Sequence, residues 1–370
     1  MSVLKEKVEQ LIDEAQRRKY SFTMFRQALN NVTLPTSNGW KPLKEKFLEE
    51  LNLHKDNYEE QLKIYSSLKD IFESFINYNH KAVYLYQLSK DEFNDLKSAI
   101  DSYLSANDSV RDEIAEIYPM TLEESRLVEL HDTYKIPIIV KYNSDNNKHT
   151  YHSTVFSSDV LRVELDGEMS AGYIDDSFYE SFESLVGYKS QYHQTIDKII
   201  LDSENNRLYL YIDMGLLRTT AKSDQIAAKY IHLFNQLIEP KKIPFELKGV
   251  SLVTKIQELY NDYSYDSKVK ELNHHTSTNS TKQEKMKNNK DLREELYHKG
   301  GYESIDFKSE LYYIKIGYNI SLDGSLDLTI PGSLRNNNWD NRAILENCQS
   351  QEDIDFLITK LIYPITQCND

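Results

Sequence analysis

Two carboxylates and a lysine near the middle of the chain are of the types that could cleave a phosphodiester. Asp213 ends a predicted strand over 207–212, and Glu246-Leu247-Lys248 lies in a predicted strand after the next helix. A magnesium-dependent nuclease needs two carboxylates on neighbouring strands to hold the cation, and a lysine to steady the attacking water. Glu246 and Lys248, two residues apart, share one face of a strand. Against this, a chain with 44 Lys+Arg and 59 Asp+Glu produces Glu-x-Lys by chance, and the helix between has to bring the strands together. Magnesium is the only cofactor any reading implies, and only this one; otherwise none is expected.

Other chemistries find fewer residues. His149 and His152 are three apart in a predicted strand, so they point to opposite faces and do not share one ion. His274-His275 falls in a polar tract. The two cysteines, Cys348 and Cys368, make no metal-binding pair and exclude a disulfide framework. No Gly-x-Ser-x-Gly elbow, P-loop or Gly-x-Gly-x-x-Gly is present. No metal site is expected, and the balance leans away from an enzyme.

A different kind of chemistry is electrostatic. Arg17, Arg18 and Lys19 are adjacent, and Arg26, Lys41, Lys44 and Lys46 follow nearby. The whole chain carries −15, which excludes a uniformly basic nucleic-acid coat. Yet residues 1–50 are net +2, while 51–130 are −8 and 131–240 are −6. A nucleic acid or an acidic partner would therefore meet the first fifty residues. The bland reading is a solvated helix end, where cations also suit the helix dipole. Glu6, Glu9, Asp13 and Glu14 on the same helix dilute any phosphate track.

The elements that must position these residues divide at the glycines. Gly39 is the only glycine before Gly167, so the first part should be helix-rich and the rest richer in strands and turns. Helical spacing of Leu4, Val8, Leu11, Ile12 and Ala15 predicts a helix over 3–18. Three more follow: one capped by Ser21, one from Trp40 to Leu51, and a long one from Tyr58 to Ile76. Residues 81–88 read as a buried strand, and Ser89-Lys90-Asp91-Glu92 is a capping box opening another helix. Hairpins then dominate: 135–142 with 150–156, 197–201 with 207–212, and 311–316 with 325–330. Helices are predicted at 224–238, ended by Pro240, at 251–260, and near 354–362; a strand is predicted at 244–250.

The fold class expected is α+β: an N-terminal helical bundle, then strand-rich units of antiparallel hairpins with covering helices. The expected domains are a bundle over 1–80, an α+β domain over 81–263, a polar linker or long loop over 264–300, and a hairpin and helix over 301–370 packed on that domain. No window approaches 18 uninterrupted apolar residues, so no membrane contact is expected. The charged N-terminus has no signal-peptide pattern, which points to an intracellular, cytoplasmic setting. The leading functional expectation is a non-catalytic binding or adaptor protein with a protein partner. A prokaryotic host-defence or genome-maintenance complex is one setting in keeping with this style of sequence. The metal-dependent nuclease (Asp213, Glu246, Lys248) and nucleic-acid binding by the basic bundle are the alternatives.

Overall fold

The structure, a computed structural model, describes residues 3–145, 147–165, 185–217, 219–239, 245–275, 280–287, 290–304, 310–321, 324–332 and 340–365. Pro240, Pro244 and Cys368 lie outside them. The first four helices are α1 (Val3–Arg17), α2 (Phe22–Asn31), α3 (Trp40–Leu53) and α4 (Tyr58–Tyr78). Each has an apolar stripe, and the stripes meet in one core containing Val8, Leu11, Phe25, Phe47 and Phe72. Ser21 caps α2 and Asn57 caps α4, each side chain accepting a free first-turn N–H.

From α4 the chain enters β1 (His80–Gln87). It continues through α5 (Lys90–Ser105), α6 (Ser109–Ile117), α7 (Glu124–Thr133), β2 (Ile138–Asp145), β3 (Lys148–Leu165), β4 (Leu185–Asp202), β5 (Arg207–Asp213) and α8 (Thr220–Ile238). After β6 (Lys248–Gly249) come α9 (Val253–Tyr260), β7 (Lys268–His275), β8 (Thr281–Lys285), α10 (Leu296–Ser304), β9 (Glu310–Ser321), β10 (Gly324–Pro331), β11 (Arg342–Glu346) and α11 (Gln351–Ile362). The strands form one antiparallel sheet in the order β2-β3-β4-β5-β1-β11-β10-β9-β7-β8, with β6 pairing the far end of β1. The class is α+β, as the pattern of elements predicts.

β1 lies in the middle of the sheet, and its residues show why it alternates so poorly in sequence. Ala82, Tyr84 and Tyr86 pack beneath α5 and α8, while Val83 and Leu85 pack with α9 and α11 on the other side. A strand buried on both faces needs apolar residues throughout. The capping box at Ser89 and Glu92 is present, both side chains accepting backbone N–H groups.

Two expectations are corrected. Residues 264–300 are not a linker: they contribute β7 and β8 to the sheet, and Val269 and Leu272 are buried in its core. Their polar residues mislead because only one face of β7 is covered by apolar side chains. The sheet therefore runs unbroken from the central segment through the C-terminal hairpin. The strand expected over 244–250 shrinks to the two residues of β6. Elsewhere boundaries shift: β3 and β4 run 18 residues each and pair with one another, well beyond the segments 150–156 and 197–201 that the sequence places in separate hairpins.

On the polar face of β7, β9, β10 and β11, Lys270 bonds Asp327 at 2.6 Å and Lys315 bonds Glu346 at 2.5 Å. Gly317 lies opposite both Lys268 and Asp327. A Cβ there would sit 2.6 Å from Lys270 Cε and 2.8 Å from Asp327 Oδ1. The glycine leaves room for the ion pair. Gly317→Ala should cost about 1–2 kcal/mol in urea unfolding through this overpacking, and a cost below about 0.5 kcal/mol would show that the pair can shift aside without loss.

Candidate functional site

The bundle meets the sheet over the middle of β4, the end of β5 and the start of β1, and here lie the most deeply buried charges among the described residues. Arg18, at the end of α1, has no exposed side-chain surface; its Nε donates to Glu14 Oε1 at 2.8 Å and its Nη1 to Asp213 Oδ2. Lys81 Nζ lies 3.6 Å from the other Asp213 oxygen. Beneath them the β4–β5 ladder ends at the pair Lys198 and Tyr211. Past that point the backbone groups of both strands find other partners. Arg18 Nη2 donates to the Gln194 carbonyl at 3.3 Å and Lys81 Nζ to the Ile196 carbonyl at 3.4 Å. The Asp213 N–H donates to Asp197 Oδ1 at 2.8 Å, and Tyr230 and Thr195 donate to Asp197 Oδ2. Buried backbone groups must be satisfied, and here charged side chains seal the place where two strands part.

Burial alone would raise the Asp213 carboxyl, but Lys81 and Arg18 outweigh it and hold the group below its ordinary value. Burial likewise opposes ionisation of Glu14, and the two arginines overcome it. Burial, with repulsion from Asp213, pushes Asp197 up to about 7 despite the Asp213 N–H and the attraction of Lys81. Beside this cluster Lys198 is buried under the ring of Tyr78, with Nζ 4.6 Å from its centre. Burial, with Lys81 adding repulsion, pushes Lys198 down to about 7.

The carboxylates and lysine singled out in sequence lie far apart. Asp213 is opposite Lys81 on β1, whereas Lys248 is opposite Gln87, six residues further along. That is roughly 20 Å at about 3.3 Å per residue. Exposed Glu246, two residues from Lys248, can recover no more than about 7 Å of it. The two carboxylates are not brought together, and the cations beside Asp213 are Arg18 and Lys81. Among the described residues no group of three or more His, Cys, Asp or Glu is placed to hold a metal. His149 stacks on Tyr142, and His152 packs edge-on against Tyr118.

The bundle cations do not share one surface. Arg18 is internal. Arg17 grips Glu14, Lys44 bonds Asp13 at 2.8 Å, and Lys46 bonds the Thr36 carbonyl at 2.7 Å. Lys19, with a left-handed φ of 57°, and Lys41 are exposed, and Arg26 is half-buried.

Sequence reasoning misses the groove above this cluster. A cavity of about 730 Å³ opens between α1, α4, the 116–127 segment and β4. Tyr65, Tyr118, Met120, Leu127 and Tyr192 supply its apolar surface. The bundle wall carries Lys7, Arg17 and Lys69 together with Asp13 and Glu14, which pair with Lys44 and Arg17, and the facing wall carries Glu116, Glu123 and Glu124. Arg17 reaches across to Thr121 Oγ1 at 3.1 Å. The facing wall is pinned by Leu122 N–H on Gln194 Oε1 and by Tyr118 on Asn77. A helix stripe and an acidic loop from distant parts of the chain carry no mark of facing each other, apart from the basic and acidic segment charges. No helix among the described residues is long and apolar enough to cross a membrane. No known family model matches the chain, and no curated protein is significantly similar to it.

Proposed function

We propose that the protein is a binding or adaptor protein, and that the groove at the bundle–sheet seam takes a segment of a protein partner. The observation that carries this reading is an apolar floor between an acidic wall and a bundle wall on which Lys7 and Lys69 stand beside carboxylates already paired with Arg17 and Lys44. Lys7 and Lys69 face Glu116, Glu123 and Glu124 across a cavity of about 730 Å³. Ligand sites combine apolar burial with a few polar groups that fix orientation. Opposed charged walls select a segment bearing acidic residues along one side and basic residues along the other, and reject the reversed direction. The buried ion cluster below supports this by tying α1 to the sheet, so the walls keep their separation.

The test is a random peptide display library selected on the full chain. Selected peptides should carry both charge signs and bind at least tenfold more weakly to Lys7→Glu/Lys69→Glu. The variant Lys41→Glu/Lys46→Glu, on the bundle away from the groove lining, should bind like the parent. Peptides that bind all three chains equally would remove the groove from the reading.

A further inference from the structure

β3 and β4 pair without interruption from Lys148 and Asp202 to Leu165 and Leu185. Their neighbours stop much earlier. β2 pairs β3 only as far as Thr154, and β5 pairs β4 only as far as Lys198. From Ser157 opposite His193 outward, nine residue pairs form, among the described residues, a two-stranded ribbon roughly 30 Å long at about 3.3 Å per residue. Braces hold its base: His131 Nε2 lies 3.3 Å from Ser158 Oγ, and Lys222 bonds Asp159 at 2.9 Å. Beyond Asp159, Val160 is 66% and Tyr188 is 74% exposed. Two-stranded ribbons are marginally stable in water on their own. A strand edge with open backbone groups is also a ready template for another strand.

We propose that the outer edge of β3 pairs with the same edge of a second copy of this chain, about a twofold axis at Val163. The sequence of the edge picks this partner and this register. Antiparallel pairing about Val163 sets Val163 against its copy, and places each Arg162 opposite the Glu164 of the other chain. Arg162 and Glu164 are two apart, so they share one strand face, and both are exposed. Two reciprocal ion pairs result, directly opposite one another where cross-strand charges interact most. Shifting the axis by one residue to Arg162 sets arginine against arginine and Val160 against Glu164. Shifting it between Leu161 and Arg162 sets Asp159 against Glu164. Charge thus favours one self-complementary register, and an isologous twofold contact is the commonest way a chain meets its own copy. The joined sheet would have twice the strands of one chain and close the open backbone edge of the ribbon.

Light scattering on the eluting full chain, loaded from 5 to 200 µM (roughly the range for a weak dimer), tests the proposal. The expected result is a dimer at the upper end. Arg162→Glu and Glu164→Arg should each be monomeric there, because each sets like charges opposite. Mixed in equal amounts they should form a heterodimer, since the two carboxylates on one variant's edge then face the two guanidinium groups on the other's. Thermal melts matching the parent show that the variants remain folded. A parent that is monomeric throughout, single variants that stay dimeric, or folded variants that fail to associate on mixing would each overturn it.

Discussion

Arg18→Met is expected to destabilise the protein by about 3–5 kcal/mol in guanidinium unfolding, the cost of breaking a buried pair by removing one partner. The substitution preserves most of the side-chain volume, so the loss comes from charge and hydrogen bonds rather than from a cavity. It strips Asp213 of its closest cation, leaves Glu14 with Arg17 alone, and orphans the Gln194 carbonyl. Asp213→Asn should cost at least as much, because that carboxylate serves both Arg18 and Lys81. The two variants combined should cost less than their sum, since they remove the same interaction. A stability within about 1 kcal/mol of the parent for Arg18→Met would mean the cluster is solvated in solution and does not seal the seam.

The second large effect is in the pH dependence. Lys198 has its pKa pushed down to about 7 by burial, against roughly 10.4 in an unfolded chain. Between those values the unfolded chain binds more protons, so stability rises with pH across that window. From pH 7 to pH 9 the gain should be on the order of 2 kcal/mol. Lys198→Met should raise stability at pH 7 and remove most of the slope. Some slope should remain, because burial also lowers Lys81. Asp197, raised to about 7, has the opposite sign: its contribution falls as pH rises from roughly 4 to 7, below the Lys198 window. Above about pH 10 the buried Tyr211 and Tyr230, both raised by burial, reverse the trend, so the measurement belongs between pH 7 and 9.5. Denaturant midpoints for parent and variant with equal slopes across that range would sink the account.

Much of the fold is legible in the sequence alone, and the reasons are local. The α1 stripe, the Ser89 capping box and the turn at 202–206 each depend on residues within a few positions of one another. β7 is hidden because Lys270, Glu271 and Asn273 interrupt its apolar residues, and register shifts within it break strict alternation. β11, five residues long, is too short for periodicity to mark it. The site is legible only in its parts. Arg18 and Asp213 each stand out as chemically suggestive, one as a phosphate contact and the other as a metal ligand. The side-chain contact joining them spans 195 positions, and nothing in local spacing announces it. Each accounts for the other: the cation that would have met phosphate meets the carboxylate that would have met magnesium. The groove is illegible for the same reason, since Lys7 and Glu123 come from segments joined only by tertiary packing.

The place of β1 has a consequence for how the chain is made. It leaves the ribosome before the other strands of this sheet, yet His80 to Tyr84 on one of its edges pair with β11, at 342–346. Until those last residues emerge, a strand buried on both faces in the finished protein waits with that edge open. β6 and β5 can cover only its far end and its opposite side in the meantime. Nascent chains stalled before residue 342 should therefore be recognised by chaperones or proteases, and C-terminal truncations should aggregate rather than fold as smaller domains.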